Sequence, residues 1–154
     1  MPMDGFHDDD AVLSARGLLP RMGAPEMFDV AGFGHLLARL RRNEETEVAV
    51  PVFDRAIEIS QAGARIFPAG VDLLVVEGNY LQLDRAPWLA LRAHFDTTAW
   101  IDVGMDVLEH LLTRRWVEAN LPADEVARRA TENDLPNYLT VTNGSGSADY
   151  IITT

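Results

Sequence analysis

An α/β fold built on a mainly parallel sheet is what this sequence predicts, and three observations carry the prediction. Leu73, Leu74, Val75 and Val76 form an unbroken apolar run, too short for a helix, that closes on Glu77-Gly78. Thr98–Val103 is a second apolar run, ending near Asp102. Around these runs, Val30, Phe33, Leu36, Leu37 and Leu40, and later Val107, Leu108, Leu111, Leu112 and Trp116, recur at helical spacing. Continuous β-branched and leucine runs read as strands covered on both faces, and their alternation with amphipathic helices implies parallel strands. Open α/β sheets bind ligands at the carboxyl ends of their strands, so Glu77 is a candidate functional acid, with a solvated loop acid as the alternative.

Each element has a local reason. Met1–Asp10 begins with an acid-glycine turn at Asp4-Gly5, and Pro20, Gly23 and Pro25 make Leu18–Phe28 a loop. Asp29 is placed to cap a helix running to about Asn43, with Gly32 and Gly34 weakening its first turn. Val48–Phe53 is extended, but Pro51 restricts it to an edge or irregular strand. Ile57–Ile66 reads equally as a strand with turns or a short helix broken at Gly63. Pro87–Phe95 is a short helix, and Met105–Asn120 is the strongest helix, with Arg115 inside its apolar stripe. Pro122 opens a further helix, with Asp124 and Glu125 favouring its dipole and a stop around Asn133–Asn137. Asn143–Ser147 reads as a flexible turn before a last strand at Tyr150–Ile152. No internal repeat or linker divides the 154 residues, so one domain is expected.

Composition removes several classes of function. There is no cysteine, which excludes disulfides, thiolate metal sites and cysteine nucleophiles. A net charge of −11 argues against a general nucleic-acid binder, which must neutralise phosphates with a basic face. All 13 basic residues are arginine, so no lysine-dependent mechanism runs on this chain alone. No apolar run approaches the roughly 20 residues of a membrane span, and a cytoplasmic location is the default expectation.

Several short motifs then fall in a telling order. M-D-G-F-H at Met3–His7 is followed by P-V-F-D-R at Pro51–Arg55 and V-V-E-G-N-Y at Val75–Tyr80. R-R-W at Arg114–Trp116, N-D-L-P-N at Asn133–Asn137 and A-D at Ala148–Asp149 complete the set. In this order the chain resembles the P-loop kinases of the phosphoribulokinase/uridine kinase group, nearest to bacterial members related to pantothenate kinase and labelled nucleoside or fructose kinases. The resemblance covers essentially the whole chain, and its specificity lies in the ordered set rather than in any one motif. It implies a three-layer P-loop NTPase-like fold and ATP-dependent phosphorylation of a hydroxyl on a sugar, nucleoside or pantothenate-like alcohol. ATP and Mg2+ are the implied cofactors.

The resemblance also assigns roles. Asp4 matches the aspartate set beside the acceptor hydroxyl as general base or orienter; the alternative is a turn aspartate stabilising Gly5. His7, Asp54 and Arg55 would contact the substrate, against a solvated histidine and a surface ion pair. Glu77 corresponds to the acid that binds magnesium directly or through water. Arg114 and Arg115 match arginines of a mobile lid, about residues 114–133, that steadies the transferring phosphoryl; an arginine snorkelling past its stripe is the alternative. Arg128 and Arg129 fit a solvated helix face better, and Trp116 fits the core. Asn133 and Asn137 would lie near the nucleotide base, although a helix stop also explains them.

One part of the family pattern has no counterpart. Such kinases open with a strand, a G-x-x-x-x-G-K-[ST] loop and a helix before the D-G-F-H turn, and nothing in this sequence matches that loop. The nearest glycine cluster, Gly144-Ser145-Gly146, lies near the other end and has no lysine. The expectation is a kinase-like domain lacking its first strand, phosphate loop and first helix, inactive on its own. A folded chain would then have rearranged, formed a homo-oligomer or borrowed a strand. The alternative is a non-catalytic metabolite-binding or regulatory domain.

Overall fold

The computed structural model describes residues 1–21, 23–118 and 120–153. Local chemistry sets the first elements. The Asp9 carboxylate accepts the Ala11 amide at 2.8 Å and opens the short helix α1, Asp10–Ala15. Asp29 accepts from the Gly32 amide at 2.8 Å and opens α2, Val30–Arg42, which Asn43 closes in the left-handed region at φ 51°. These are the bounds that the capping pattern predicts. The inner face of α2 carries Val30, Phe33, Leu36 and Leu37, all buried.

That face packs on two sides. Val30, Phe33 and Leu37 join Met3, Tyr80, Leu83, Trp88 and Leu91 in the main core, where Phe28, Tyr80 and Trp88 meet edge-to-face or tilted. Leu36 packs with Val48 and Val50 of β1, Glu47–Asp54. β1 pairs antiparallel with β2, Ile59–Pro68, so the segment around Ile57–Ile66 is largely strand. Their register jumps between Val50 opposite Arg65 and Val52 opposite Gln61. Pro51 has no N–H to give the ladder, and Gly63 takes φ +67° on the opposite strand.

The remaining strands are parallel. β3, Ala99–Asp102, runs beside β4, Tyr150–Thr153, with Ala99 opposite Tyr150 and Asp102 opposite Thr153. The Asp149 carboxylate fastens this pair by accepting both the amide and the hydroxyl of Thr98 at 2.8 Å. A separate parallel bridge joins Pro2 to Glu77. The architecture is therefore mixed α/β with parallel strand pairing, as the sequence predicts.

Three expectations need correction. Leu73–Val76 is extended but is not a strand covered on both faces: Leu73 is 80% and Val75 68% exposed. Val76 packs against the main core, and Met1–Met3 lies beside the far end of the segment through Glu77 N–H to Met1 O at 3.0 Å and Met3 N–H to Glu77 O at 2.9 Å. An apolar run is buried on both faces only where neighbours supply both coverings. α3, Met105–Glu118, has the predicted helical period but no buried residue: α4, Ala123–Arg129, and the π-helical turn Ala130–Asp134 pack beside it and leave its stripe at most half-buried. The helical run also continues past the expected stop: α5, Leu135–Gly144, starts with Pro136 in its first turn, where a missing N–H is tolerated. Asn143 and Gly144 are thus the end of a helix rather than a free turn, and Ser145 forms a bridge with Leu83.

Among the described residues no helix is long and apolar enough to cross a membrane.

Candidate functional site

Asp4 sits in a 3-10 turn, Met3–Phe6, closed by the His7 amide on the Asp4 carbonyl at 3.1 Å. The turn lies against β1 so closely that a Cβ on Gly5 would come within 2.5 Å of the Pro51 carbonyl oxygen. Only glycine permits that approach. The Ser60 hydroxyl of β2 donates to the Gly5 carbonyl, so both hairpin strands hold the turn. From the other side, the Asp29 amide donates to the Phe6 carbonyl at 2.8 Å and the Asp8 amide to the Met27 carbonyl at 2.8 Å.

This clamping brings together residues that are distant in sequence. Arg55, just past β1, forms an ion pair with Asp4 through its Nη2 and the Asp4 Oδ2. Asp4 Oδ1 has no hydrogen-bond partner among the described residues. His7 is half-buried, with its ring edge-on to Phe28 at 5.2 Å and to Phe53 at 5.6 Å. Its Nδ1 is 2.8 Å from the Asp8 carbonyl, an arrangement that protonates Nδ1 and leaves Nε2 as an acceptor in the neutral ring. Asp54 instead serves the hairpin turn, accepting the Ala56 amide at 2.9 Å and the Gln61 side-chain amide at 3.4 Å.

Next to this turn is a cavity of about 390 Å³. Gly5, Phe6 and His7 form one wall; Pro51, Phe53, Ser60 and Ala62 of the hairpin form another. Its volume suits a small metabolite. Phe53, Ser60 and Glu58 belong to this wall and carried no role in the sequence reading. The motif P-V-F-D-R could have drawn attention to Phe53, but Ser60 and Glu58 were hidden by the ambiguity of Ile57–Ile66.

Glu77 lies at the end of its extended segment, as the sequence predicts, and is exposed. Because the Met3 amide bonds the Glu77 carbonyl, Glu77 and Asp4 start from adjoining backbone at the same end of the parallel bridge. Gly78 is needed here, since a Cβ would fall 2.4 Å from the Met3 side chain. Tyr80, two residues on, is fully buried and donates to the Gly23 carbonyl at 2.5 Å; burial pushes its hydroxyl pKa well above the ordinary phenol range.

The other candidate residues belong to the helical segment and have protein partners. Arg114 pairs with Glu118 at 3.2 Å along α3. The Arg115 guanidinium stacks 4.5 Å from the centre of the Trp116 ring, and Arg129 lies 4.8 Å from the same ring. The Trp116 indole N–H donates to Asp134 at 2.7 Å, so this tryptophan is a half-buried stacking platform rather than a core residue. Arg128 and Arg129 both bond Glu125, whose carboxyl is held down at about 2 by the Arg128 hydrogen bond first and the Arg129 bond second. Asn133, with its amide nitrogen turned inward, donates to the Pro20 carbonyl at 3.3 Å, and the Asn137 amide nitrogen lies near Gly23. Among the described residues no group of three or more histidine, aspartate or glutamate side chains is arranged to hold a metal.

No family model matches the chain. Individual proteins do. The ATP-dependent kinase-like protein notR' of Aspergillus versicolor is 31% identical over 81% of this chain and 77% of its own length. The uncharacterized protein YggC of Escherichia coli K12 is 34% identical over 99% of this chain and 62% of its own length. A pantothenate kinase of Limosilactobacillus reuteri is 30% identical over 75% of this chain and 38% of its own length. The chain thus spans well under two thirds of some of the relatives it matches. Among solved structures, a provisionally identified fructose transport system kinase of Silicibacter sp. TM1040 is 40% identical, with a TM-score of 0.88 over 98% of this chain and 72% of that one. YFH7 of Saccharomyces cerevisiae, provisionally identified as a P-loop kinase with a circular permutation, shares the fold at a TM-score of 0.83 and 20% identity, over all of this chain and 56% of that one. The ordered motifs, the parallel pairing and these likenesses converge: the chain belongs to the P-loop kinases of the uridine kinase and pantothenate kinase group.

Proposed function

We propose that this chain carries the acceptor-binding half of a small-molecule phosphotransferase, holding an alcohol whose hydroxyl is the phosphoryl acceptor. The observation that carries the reading is the Asp4–Arg55 ion pair, which adjoins the cavity at Gly5 without itself lining it. Arg55 fixes the Asp4 carboxylate through one oxygen, and the other is free to accept a hydrogen bond from an incoming hydroxyl. That bond orients the acceptor oxygen and gives its proton a destination. His7 Nε2 supplies a second acceptor in the same wall, and the Phe53 ring offers an apolar face to a sugar or a base.

The residues present do not fit a complete ATP–magnesium complex. Such a complex needs backbone amides and a lysine around the phosphates, and the chain has no lysine. Its Gly-Ser-Gly segment ends α5, with the Arg92 guanidinium filling the space over Gly146. The family roles assign Glu77 to the magnesium side, Arg114 and Arg115 to the phosphoryl side, and Asn133 and Asn137 to the base side. The contacts of the arginines and asparagines are with the protein itself. The chain alone therefore binds acceptor and transfers nothing, a reading that also suits a metabolite-binding regulatory domain.

Amide chemical-shift mapping with uridine, fructose and pantothenol tests this. Shifts confined to Gly5–His7 and the hairpin, weakened about tenfold or more by Asp4→Ala, are expected for at least one of them. Shifts centred on the helical segment, or unaffected by the substitution, would overturn the reading.

A further inference from the structure

The charge around the cavity narrows the class of acceptor, on the assumption that the cavity is the acceptor site. Five carboxylates line it: Asp8, Asp9, Asp10, Asp29 and Glu58. No arginine does. Asp8 is balanced by Arg16 at 2.7 Å, while Asp9 and Asp29 are spent on the amides of Ala11 and Gly32. Asp10 and Glu58 have no ion-pair partner among the described residues. Arg55, just past β1, is already bonded to Asp4. With no lysine in the chain, no flexible ammonium can swing in to compensate.

Asp9, Asp10, Asp29 and Glu58 are exposed, so their repulsion of an incoming anion acts at an open rim and depends on salt. From this we infer that the pocket selects uncharged polyhydroxylated or cationic acceptors and rejects anionic ones, the carboxylates and phosphate esters of the same carbon skeletons. The selection works by repulsion, which discriminates without extra attractive contacts. Neutral hydroxyls suit the lining well, since carboxylates and the Ser60 hydroxyl accept hydrogen bonds from them while Phe53 covers an apolar face. Pantothenate itself is on the excluded side of this divide, and its neutral alcohol analogue is on the permitted side.

Two pairs of like carbon skeleton and different charge test the inference on the full chain: pantothenol against pantothenate, and sorbitol against gluconate, each followed by amide chemical shifts at Gly5, His7 and Phe53. The neutral member of a pair is expected to bind at least tenfold more tightly than its anion. The ratio should shrink as salt is raised, because screening weakens charge repulsion. The double variant Asp10→Asn/Glu58→Gln should narrow the ratio at least threefold by admitting the anion. Equal or tighter binding of the anions at this cavity would overturn the charge selection and leave the acceptor reading standing. Binding of all four probes elsewhere, or of none, would overturn both.

Discussion

Asp4 and Arg55 are 51 residues apart in sequence and form an ion pair next to the cavity wall at Gly5. The pair is partly exposed, so it stabilises the fold little. Arg55→Ala should change folding stability by no more than about 0.5 kcal/mol, yet weaken acceptor binding about tenfold by releasing Asp4. Chemical denaturation and ligand titration measured side by side separate the two effects. Gly5 behaves oppositely. A Cβ there meets backbone, the Pro51 carbonyl at 2.5 Å, rather than a yielding side chain. Gly5→Ala should cost about 1–3 kcal/mol, the usual range for overpacking, and should distort the cavity with it. A midpoint unchanged in denaturant would show that the turn has room. The candidate base could be picked out in the sequence only through the resemblance that M-D-G-F-H carries, because by itself Asp4 reads as a turn aspartate beside Gly5. Its ion pair could not, because nothing local to Arg55 says which of the carboxylates it will meet.

At the scale of elements, the clearest pH-sensitive feature is α4. Arg128 and Arg129 hold the Glu125 carboxyl at about 2, below its ordinary 4.5. A carboxyl lowered in the folded state stabilises it above the ordinary value, and that contribution fades as the pH falls toward the lowered one. Order in α4 should therefore be constant from neutral pH down to about 4.5 and should decline toward pH 2. A carboxyl-detected titration of Glu125 checks the value, and Glu125→Gln should remove the acid dependence of α4. The Asp149 clasp has the same sign: Thr98 hydrogen bonds lower its carboxyl, so the β3–β4 pairing loosens only in acid.

Helix α2 was legible to within a residue because its start and stop are set by Asp29 and Asn43, whose chemistry is local. The hairpin was not. Ile57–Ile66 has neither clean alternation nor a helical stripe, and its pairing with β1 depends on a bulge at Pro51 that forms only in the assembled ladder. Because the cavity wall runs through that hairpin, Phe53, Ser60 and Glu58 stayed hidden with it. α3 shows the complementary limit. Its period is genuine, but period states only which face could be buried, and here Leu108, Leu112 and Trp116 are only half-buried while Val107 and Leu111 stay exposed.

At the scale of the whole molecule, the core lies between α2, the hairpin and the Tyr80–Leu91 segment, while the parallel strands carry their apolar side chains outward. Leu73, Val75, Ile101, Ile151 and Ile152 are all exposed. Substituting Leu73 or Val75 by serine in this chain should change its stability by about 0.5 kcal/mol or less, as for other surface positions. Losses of about 2–5 kcal/mol, typical of truncated core residues, would mean that this segment is covered in solution. The residues proposed for the acceptor are held by the 3-10 turn and the hairpin, whereas Arg114, Arg115, Asn133 and Asn137 lie along the helical segment.

One calorimetric experiment on the 154-residue chain tests that division most directly. A neutral acceptor that binds the cavity is titrated with and without magnesium and ATP, and magnesium-ATP is titrated alone. Heat from the acceptor, none from magnesium-ATP, and an acceptor affinity unchanged by the nucleotide are expected. Micromolar binding of magnesium-ATP, or acceptor binding that tightens in its presence, would contradict that expectation by revealing a triphosphate site built without a lysine.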